Sequence, residues 1–278
     1  MFRVAYQGAP GAYSEEAVVR LWPSATPVPM RECIDVARAV ERDDVDAGLL
    51  AVENTLAGSV VASYDALAAC GHLVATGEVI IAIHHCVLGA PGTSLEAIRW
   101  VESHPVALAQ CGGFFERHPH LEPRATYDTA GSAMDVARAR DPRRAALASR
   151  IAAAHYGLDI LAADVEDRPD NQTRFVAIAR EAAALTHGIA ARTILLVTVA
   201  NVPGALHRLL GPFAEHELNL SKLESRPTGE PWSYRFIMEI EHTAGEPAMA
   251  RALDAVRDIA QSCRVVGTYA TSGVLLNC

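Results

Sequence analysis

Short apolar runs alternate with helix-like segments along the first two thirds of the chain, and this alternation restricts the possible folds more than any other feature. Residues 2–6, 47–52 and 79–83 have the length and composition of buried strands, and the third run continues to residue 89. Residues 31–42 have helical spacing, and residues 145–156 have the alanine-rich composition of a packed helix. Strands and helices in alternation predict a parallel, doubly wound α/β architecture.

The last third of the chain follows a different plan. Four strand-like segments and two helical ones occur in the order strand, helix, strand, strand, helix, strand, at residues 194–199, 203–210, 218–226, 234–241, 246–262 and 265–269. This βαββαβ order predicts a ferredoxin-like domain. A weak change in composition at residues 181–188 predicts a linker between the two parts.

Length and charge exclude several classes of partner. A chain of 278 residues is long enough for one large domain and one small domain. The net charge of −9 argues against nucleic acid and anionic membranes as general partners, so an anionic ligand must be held by a local cluster. No apolar run approaches the roughly 20 residues of a membrane span. The six cysteines form no CxxC pair, so we expect reduced thiols. The N-terminus runs directly into a predicted strand without the features of a signal peptide, so we expect a cytoplasmic protein.

Residues 170–175, Asp-Asn-Gln-Thr-Arg-Phe, place four useful functional groups at the start of an apolar run. A hydroxyl, a guanidinium, an amide and an aromatic ring can together donate hydrogen bonds, bind a carboxylate and cover an apolar ring. Such a set suits a small dianionic substrate. A capped turn before an edge strand is the alternative interpretation.

Two other polar segments follow predicted strands. Glu53 and Asn54 come at the end of a strand, where open α/β sheets bind ligands, although a solvated turn has the same composition. Gly8 and Gly11 precede Ser14, which is predicted to cap a helix, and backbone N–H groups in such a turn can face an anion or simply form a loop.

The histidine doublet at residues 84 and 85, followed by Cys86, is a poor metal site. Neighbours on a strand point to opposite faces, and no other ligand has zinc-like spacing. We therefore predict core or surface positions for these side chains.

Several motifs, in a fixed order, resemble those of prephenate dehydratases. Residues 171–175 are similar to the Thr-Arg-Phe signature of that family. The other matching segments are residues 6–17, 52–60, 103–111 and 127–130. Residues 203–206 and 224–227 resemble the ligand-binding segments of ACT regulatory domains.

The resemblance implies a fold and an activity. The catalytic domain, residues 1–182, is expected to be two-lobed and periplasmic-binding-protein-like, with one lobe at about 1–80 plus 165–182 and the other at 81–164. A linker at 183–192 and an ACT domain at 193–278 complete the implied organisation. The family converts prephenate to phenylpyruvate with loss of water and CO₂ in phenylalanine biosynthesis, without a metal or an organic cofactor. L-Phenylalanine is the expected allosteric inhibitor, and a homodimer or homotetramer is the expected assembly.

The resemblance also assigns roles to residues. Thr173 would donate a hydrogen bond to the leaving hydroxyl, with Glu53 and Asn54 as further catalytic residues, and Arg174 would bind the side-chain carboxylate. The other expected substrate-binding residues are Phe175, Ser103, Gln110, Thr129 and Ser14. The expected phenylalanine-binding residues are Asn201, Gly204, Ala205, Leu206, Glu224, Ser225 and Arg226.

Two positions depart from the family pattern, and three alternative functions stay open. Ala12 stands where many members carry a hydroxyl residue, and Asp128 stands where some carry glutamate. Arogenate dehydratase would perform the same chemistry on an amino substrate. A periplasmic-type binding protein would share the two-lobed plan, and an amino-acid sensor would need only the C-terminal domain.

Overall fold

The computed structural model describes residues 1–271. Its strands are β1 (Arg3–Gln7), β2 (Thr26–Met30), β3 (Ala47–Asn54), β4 (Gly58–Ser59), β5 (Val74–Ala82), β6 (Cys86–Gly89), β7 (Trp100–Ser103), β8 (Glu122–Ala125), β9 (Arg144–Ala148), β10 (Asp159–Ala162), β11 (Gln172–Ala179), β12 (Ala190–Thr198), β13 (Asn219–Pro227), β14 (Tyr234–Thr243) and β15 (Ser262–Ala270). Its α-helices are α1 (Tyr13–Leu21), α2 (Cys33–Glu41), α3 (Val61–Ala69), α4 (Pro105–Ala109), α5 (Gly112–Arg117), α6 (Thr129–Ala139), α7 (Arg150–Tyr156), α8 (Ala205–Glu215) and α9 (Pro247–Ile259).

The contacts divide the chain into two compact units. The first contains residues 1–63 and 79–175, and the second contains residues 64–78 and the chain from residue 176 onward. The chain passes from one unit to the other within α3, β5 and β11.

The first sheet has the strand order β2-β1-β3-β11-β5, with β4 paired to β3. Strand β1 is parallel to both β2 and β3. The side chains of Val4, Ala5 and Tyr6 are buried, as are Leu49 and Leu50 on β3, so the apolar runs lie in the core as predicted. Because β1 and β3 run in the same direction, the polar groups that follow them emerge at the same edge of the sheet.

The second sheet of the first unit has the order β10-β6-β9-β7-β8 and is mixed rather than fully parallel. Strand β7 is parallel to β8 and β9, whereas β6 is antiparallel to β9 and β10. The predicted two-lobed α/β organisation is confirmed, because each sheet has helices of its own. The expectation of an entirely parallel arrangement is wrong for this sheet.

The prediction of one helix over residues 145–156 is also wrong. Residues 144–148 form β9, which lies between β6 and β7, and the helix begins only at Arg150. Full burial of the alanines of β9 between two strands overrides their helix propensity. Ser149 separates the two elements by accepting a hydrogen bond from the Ala152 N–H at 3.0 Å, and Gly157 ends α7 in the left-handed conformation, with φ 64°.

Two boundaries in the first unit differ from the sequence prediction. The N-cap of α1 is Ala12 and not Ser14, which lies inside the first turn. The strand expected over residues 79–89 is interrupted, since β5 ends at Ala82 and β6 begins at Cys86. The interruption frees the two histidines between these strands for contacts with other elements.

The second unit contains the predicted βαββαβ domain. Its sheet has the order β13-β14-β12-β15 and is antiparallel throughout. Helices α8 and α9 pack on one face of this sheet around a core that includes Leu195, Leu209, Phe213, Met238 and Val256. The ferredoxin-like prediction is confirmed.

Residues 64–78 pack on this domain through buried polar contacts. The Arg264 guanidinium donates hydrogen bonds to the carbonyl oxygens of Leu67, Cys70 and Leu73, at 2.8 to 3.0 Å. The Tyr64 hydroxyl donates to the Glu239 carboxylate at 2.6 Å. The second unit therefore includes a segment that is distant in sequence from the ferredoxin-like domain.

The five cysteines of the described chain are free thiols, and Cys278 lies outside the described residues. Burial raises the pKa of the Cys111 thiol to about 12, so it remains protonated at neutral pH. Among the helices of residues 1–271, none has the length and apolar character that crossing a membrane requires.

Candidate active site

A cavity of about 500 Å³ lies within the first unit. Gln7 at the end of β1, Asn54 at the end of β3 and Thr173 near the start of β11 line its wall. Its full lining is Gln7, Ala12, Tyr13, Ser14, Ala51, Asn54, Ala57, Ser59, Val60, Ile83, His85, His104, Val106, Ala107, Gln110, Tyr127, Asp128, Thr129, Thr173 and Phe175. Polar groups thus share the cavity with apolar side chains that could cover a ring.

The cavity brings together most of the residues that the sequence singled out for a substrate. Those that line it are Ser14, Asn54, Gln110, Thr129, Thr173 and Phe175. Those that do not line it are Glu53, Ser103 and Arg174. The Ser103 hydroxyl is fully buried and donates a hydrogen bond to the Leu147 carbonyl at 2.6 Å.

The alternation of β11 explains the position of Arg174. Successive side chains of a strand point to opposite faces, so Thr173 and Phe175 share the face that lines the cavity. Arg174 points the other way and forms an ion pair with Glu53 on β3, with Nη2 and Oε2 2.9 Å apart. In this structure the pair joins two neighbouring strands.

Asn54 holds Thr173 by a hydrogen bond whose direction is fixed. The Asn54 Oδ1 atom accepts from the backbone N–H groups of Leu56 and Ala57, at 3.0 and 2.8 Å. Its Nδ2 atom must therefore be the group that donates to Thr173 Oγ1, at 2.9 Å, and to Asn171 Oδ1, at 2.8 Å. Because Thr173 Oγ1 accepts this bond, the hydroxyl hydrogen of Thr173 can be directed into the cavity.

The same hydrogen-bond chain continues to His85. Asn171 Nδ2 donates to Gln110 Oε1 at 3.0 Å, and that oxygen also lies 3.0 Å from His85 Nε2. On the other side of the ring, His85 Nδ1 lies 2.9 Å from the Tyr13 hydroxyl. Asn171 and His85 are both buried, so these contacts are shielded from water.

Burial determines the directions of the pKa shifts at this end of the cavity. Removal from water lowers the pKa of His85 despite its contact with Gln110 and the nearby Glu166 carboxylate. Burial raises the pKa of Tyr13 well above its usual range. In the absence of a ligand, both side chains are therefore neutral at physiological pH.

Two helices of the first unit begin at the cavity. Helix α1 starts at Tyr13, and its N-cap residue Ala12 provides no side-chain hydrogen bond to the exposed amides of the first turn. Helix α6 starts at Thr129, with the Asp128 carboxylate accepting from the Gly131 N–H at 2.6 Å. The positive ends of both helix dipoles face the cavity, and α1 has N–H groups available for an anion.

Sequence reasoning missed several residues of the cavity, chiefly Tyr13, His85 and His104. A signal existed for His85: in the strand predicted over residues 79–89, adjacent histidines point to opposite faces, so one of the two rings is expected to face inward. Only the three-dimensional contacts identify which one it is. His104 caps α4, with its Nδ1 atom accepting from the Val106 N–H at 3.3 Å.

His84 has different neighbours from His85. Its Nδ1 atom lies 2.7 Å from Glu166 Oε1 and 4.0 Å from Asp164 Oδ1, so three potential metal ligands approach one another. However, the Arg150 guanidinium already binds both oxygens of Asp164, and the backbone N–H of His85 donates to Glu166 Oε2. We interpret the cluster as an ion-paired hydrogen-bond network.

A second cavity, of about 360 Å³, lies in the ferredoxin-like domain. Asn201, Ala205 and Leu206 line it, as do the aromatic residues Trp232, Tyr234 and Phe236, which the sequence analysis did not select. Gly204 lies at the N-cap of α8, with φ 77°. The segment 224–226 lies elsewhere on β13, where the Arg226 guanidinium pairs with Asp65 at 3.0 Å.

Family comparisons agree with the motifs. Residues 4–183 match the model of the prephenate dehydratase family, and residues 193–258 match the ACT domain model. The chain belongs to the prephenate dehydratase family. Membership makes it a carbon–oxygen lyase with an attached ACT domain.

Similar proteins carry more than one name within this family. A protein of Arabidopsis thaliana named arogenate dehydratase/prephenate dehydratase 2, chloroplastic, is 37% identical over 284 residues, which cover 99% of this chain and 74% of the relative. A protein of Komagataeibacter europaeus named bifunctional N-acyl-homoserine lactone acylase/prephenate dehydratase is 36% identical, covering 97% of this chain and 96% of the relative. The crystal structure of prephenate dehydratase in complex with L-Phe from Arthrobacter aurescens has a TM-score of 0.90 and 31% identity, covering 96% of this chain and 89% of that chain.

Proposed function

We propose that this member of the prephenate dehydratase family converts prephenate to phenylpyruvate in the cytoplasm, with loss of water and CO₂. The observation that carries the proposal is the hydrogen bond from Asn54 Nδ2 to Thr173 Oγ1, at the wall of the cavity. It leaves the Thr173 hydroxyl hydrogen free to be donated to the leaving hydroxyl of the substrate.

The driving force of the reaction is present in the substrate, because the ring becomes aromatic as carboxylate and hydroxyl leave together. The protein must position the substrate and stabilise the departing oxygen. A threonine hydroxyl is a weak acid, so Thr173 acts by polarising the leaving group rather than by giving up its proton completely. Phe175, Ile83 and Val60 provide apolar cover for the ring.

Backbone amides and neutral donors can hold the side-chain carboxylate. The first turn of α1, from Tyr13, supplies N–H groups without a side-chain cap, and the hydroxyl-bearing residues Ser14 and Thr129 line the same cavity. Arg174 and Glu53 support the site by joining β11 to β3. Ser103 supports it by fixing the end of β7 through its bond to the Leu147 carbonyl.

Arogenate dehydration is a second candidate, because Asp128 lines the cavity and can pair with an amino group. Prephenate has a keto group at the position where arogenate has an ammonium group. An Asp128→Asn variant should lose activity on arogenate and gain or keep activity on prephenate. The test is a side-by-side assay of both substrates, with phenylpyruvate and phenylalanine measured as the respective products. Failure of the wild-type protein to form phenylpyruvate would contradict the primary proposal.

Phenylalanine is the proposed allosteric ligand, and the cavity of the ACT domain suits it. Leu206, Trp232 and Phe236 supply apolar contacts, while Asn201 can bind a polar group of the amino acid. We propose that the 224–226 segment of a second subunit completes the site in a homodimer or homotetramer. Isothermal titration calorimetry with L-phenylalanine, combined with sedimentation analysis, tests both parts.

A further inference from the structure

The active-site cavity poses an electrostatic problem for a dianionic substrate. Among the described residues that line it, none is a lysine or an arginine, and the carboxylate of Asp128 adds a negative charge. Only the histidines His85 and His104 could become cations there.

The hydrogen-bond chain fixes the protonation of one nitrogen of His85. The Asn54 amide is oriented by two backbone N–H groups, so Asn171 must present its oxygen to Asn54 and its nitrogen to Gln110. Gln110 Oε1 is consequently an acceptor at 3.0 Å from His85 Nε2. The Nε2 atom of His85 must carry a hydrogen.

The other nitrogen of His85, Nδ1, faces the Tyr13 hydroxyl, whose oxygen can accept a hydrogen bond from a protonated Nδ1. The Tyr13 hydroxyl lies 2.9 Å from His85 Nδ1 and 2.7 Å from the carbonyl oxygen of His84. A phenol has one hydrogen, so only one of these contacts can receive it. When the hydrogen is donated to the carbonyl, the phenol oxygen is an acceptor, and Nδ1 must also carry a hydrogen for both bonds to form.

His104 lacks this arrangement. Its Nδ1 atom accepts a hydrogen bond from the Val106 N–H, at 3.3 Å, as the cap of α4. A second proton on His104 would break that contact. A second proton on His85 would instead leave each of its two ring N–H groups with an acceptor, Gln110 Oε1 and the Tyr13 hydroxyl oxygen.

We infer that His85 takes up a proton from solvent when prephenate binds, and that the resulting imidazolium supplies the positive charge that the cavity otherwise lacks. This inference rests on the proposed function, because prephenate is the dianion that draws the proton. His85 lines the cavity, so its charge acts directly on the bound substrate.

Burial opposes this charge in the free protein, and the substrate reverses the balance. The charged or titratable groups that face His85 are Tyr13 from α1, the adjacent His84, and Glu166 after β10, while Gln110 after α4 is its neutral partner. The pKa of His85 is lowered by burial in the free protein, and two nearby negative charges on the substrate raise it in the complex. Substrate binding is therefore accompanied by proton uptake at pH values between the pKa of His85 in the free protein and its pKa in the complex.

The sign of the pH dependence follows from linkage. Below the pKa of the free protein, His85 is charged in both states and KM is low and constant. Between the two pKa values, KM rises with pH by about tenfold per pH unit, and above the pKa of the complex it is high and constant. Substrate carboxylates stay ionised over this range, since carboxyl groups titrate well below it.

The test combines kinetics with calorimetry on the full chain. KM for prephenate is measured from about pH 6 to about pH 9 for wild type, His85→Gln and the control His155→Gln, an exposed histidine on α7. The wild type and the control should show the rise in KM, and His85→Gln should show a flat KM near the high-pH value. Prephenate is also titrated into Thr173→Ala, which binds without rapid turnover, in phosphate and in Tris. Up to one proton should be taken up per site, and none in Thr173→Ala/His85→Gln.

A second variant keeps the test decisive if His85→Gln does not fold. Tyr13→Phe removes the oxygen that accepts the second hydrogen, so the rise in KM should move to lower pH. An unchanged profile in Tyr13→Phe, or proton uptake that persists without His85, would overturn the inference. Failure to form phenylpyruvate at any pH would instead contradict the proposed function, because the product assay and the proton count are independent.

Discussion

At the scale of single residues, the proposed function depends on the direction of a few hydrogen bonds. Asn54 is the residue that sets this direction, since two backbone N–H groups fix its amide and leave its nitrogen for Thr173. An isosteric change at Asn54 tests this arrangement with little change in shape.

Asn54→Asp should lower kcat by a factor on the order of 10² while the protein remains folded. The carboxylate cannot donate to Thr173 Oγ1, so the threonine hydroxyl would turn toward it and away from the substrate. Steady-state kinetics with prephenate measures the effect, and Asn219→Asp, at an exposed asparagine in the other unit, is the matched control. An Asn54→Asp protein with wild-type kcat would contradict the assigned direction.

The residues of the site were only partly predictable from sequence. Thr173, Asn54 and Gln110 were found because their motifs are distinctive. Arg174 was expected in the cavity with Thr173. The alternation of side chains along a strand, applied to residues 173–175, puts Arg174 on the opposite face. His85 could not be chosen over His84, because the distinction depends on contacts with Tyr13 and Gln110, which are far away in the chain.

At the scale of elements, burial determined the secondary structure of segments whose local propensity favoured a different one. The alanines of β9 favour a helix in isolation, but the second sheet buries them completely between two strands. The helices and strands of the ferredoxin-like domain were predicted well because their apolar periods are long and bounded by turns. Turn glycines gave reliable boundaries, as at Gly157.

Helix α8 provides predictions about two glycines, one at its N-cap and one in its interior. Gly204 has φ 77°, so Gly204→Ala should lower the free energy of unfolding by about 1–2 kcal/mol, the usual cost of an L side chain in the left-handed region. Gly211 lies inside the same helix with no atom near an added Cβ, so Gly211→Ala should raise stability by about 0.5–1 kcal/mol. Urea unfolding measures both, and equal effects of the same sign would contradict this assignment.

At the scale of the whole molecule, sequence order predicted two kinds of domain but not the grouping of residues 64–78. These residues cluster with the chain from residue 176 onward, through contacts such as those of Arg264 with three carbonyl oxygens. Such pairings join residues more than 190 positions apart, as for Leu73 and Arg264, and leave no local pattern. A protein shortened at residue 185 would lose them, so point variants are the better test of regulation.

Leu206→Glu should weaken L-phenylalanine binding by at least about tenfold, because a carboxylate would replace apolar cover in the cavity of the ACT domain. The phenylalanine concentration that half-inhibits prephenate turnover should rise by the same factor, because inhibition requires bound phenylalanine. Val19→Glu, an exposed residue of α1, is the control for an added surface charge. Wild-type phenylalanine affinity in Leu206→Glu would place the amino-acid site elsewhere.

Phenylpyruvate formation from prephenate by wild type, Thr173→Ala and Thr173→Ser tests the central claim most directly. The hydroxyl is the group that the leaving oxygen needs, so the alanine variant should lose about 10²–10³ in kcat and the serine variant should keep much of the wild-type rate. Calorimetric binding of prephenate to Thr173→Ala verifies that its cavity is intact. A folded alanine variant that turns over prephenate at the wild-type rate would contradict the role of Thr173 and the assignment of this cavity as the active site.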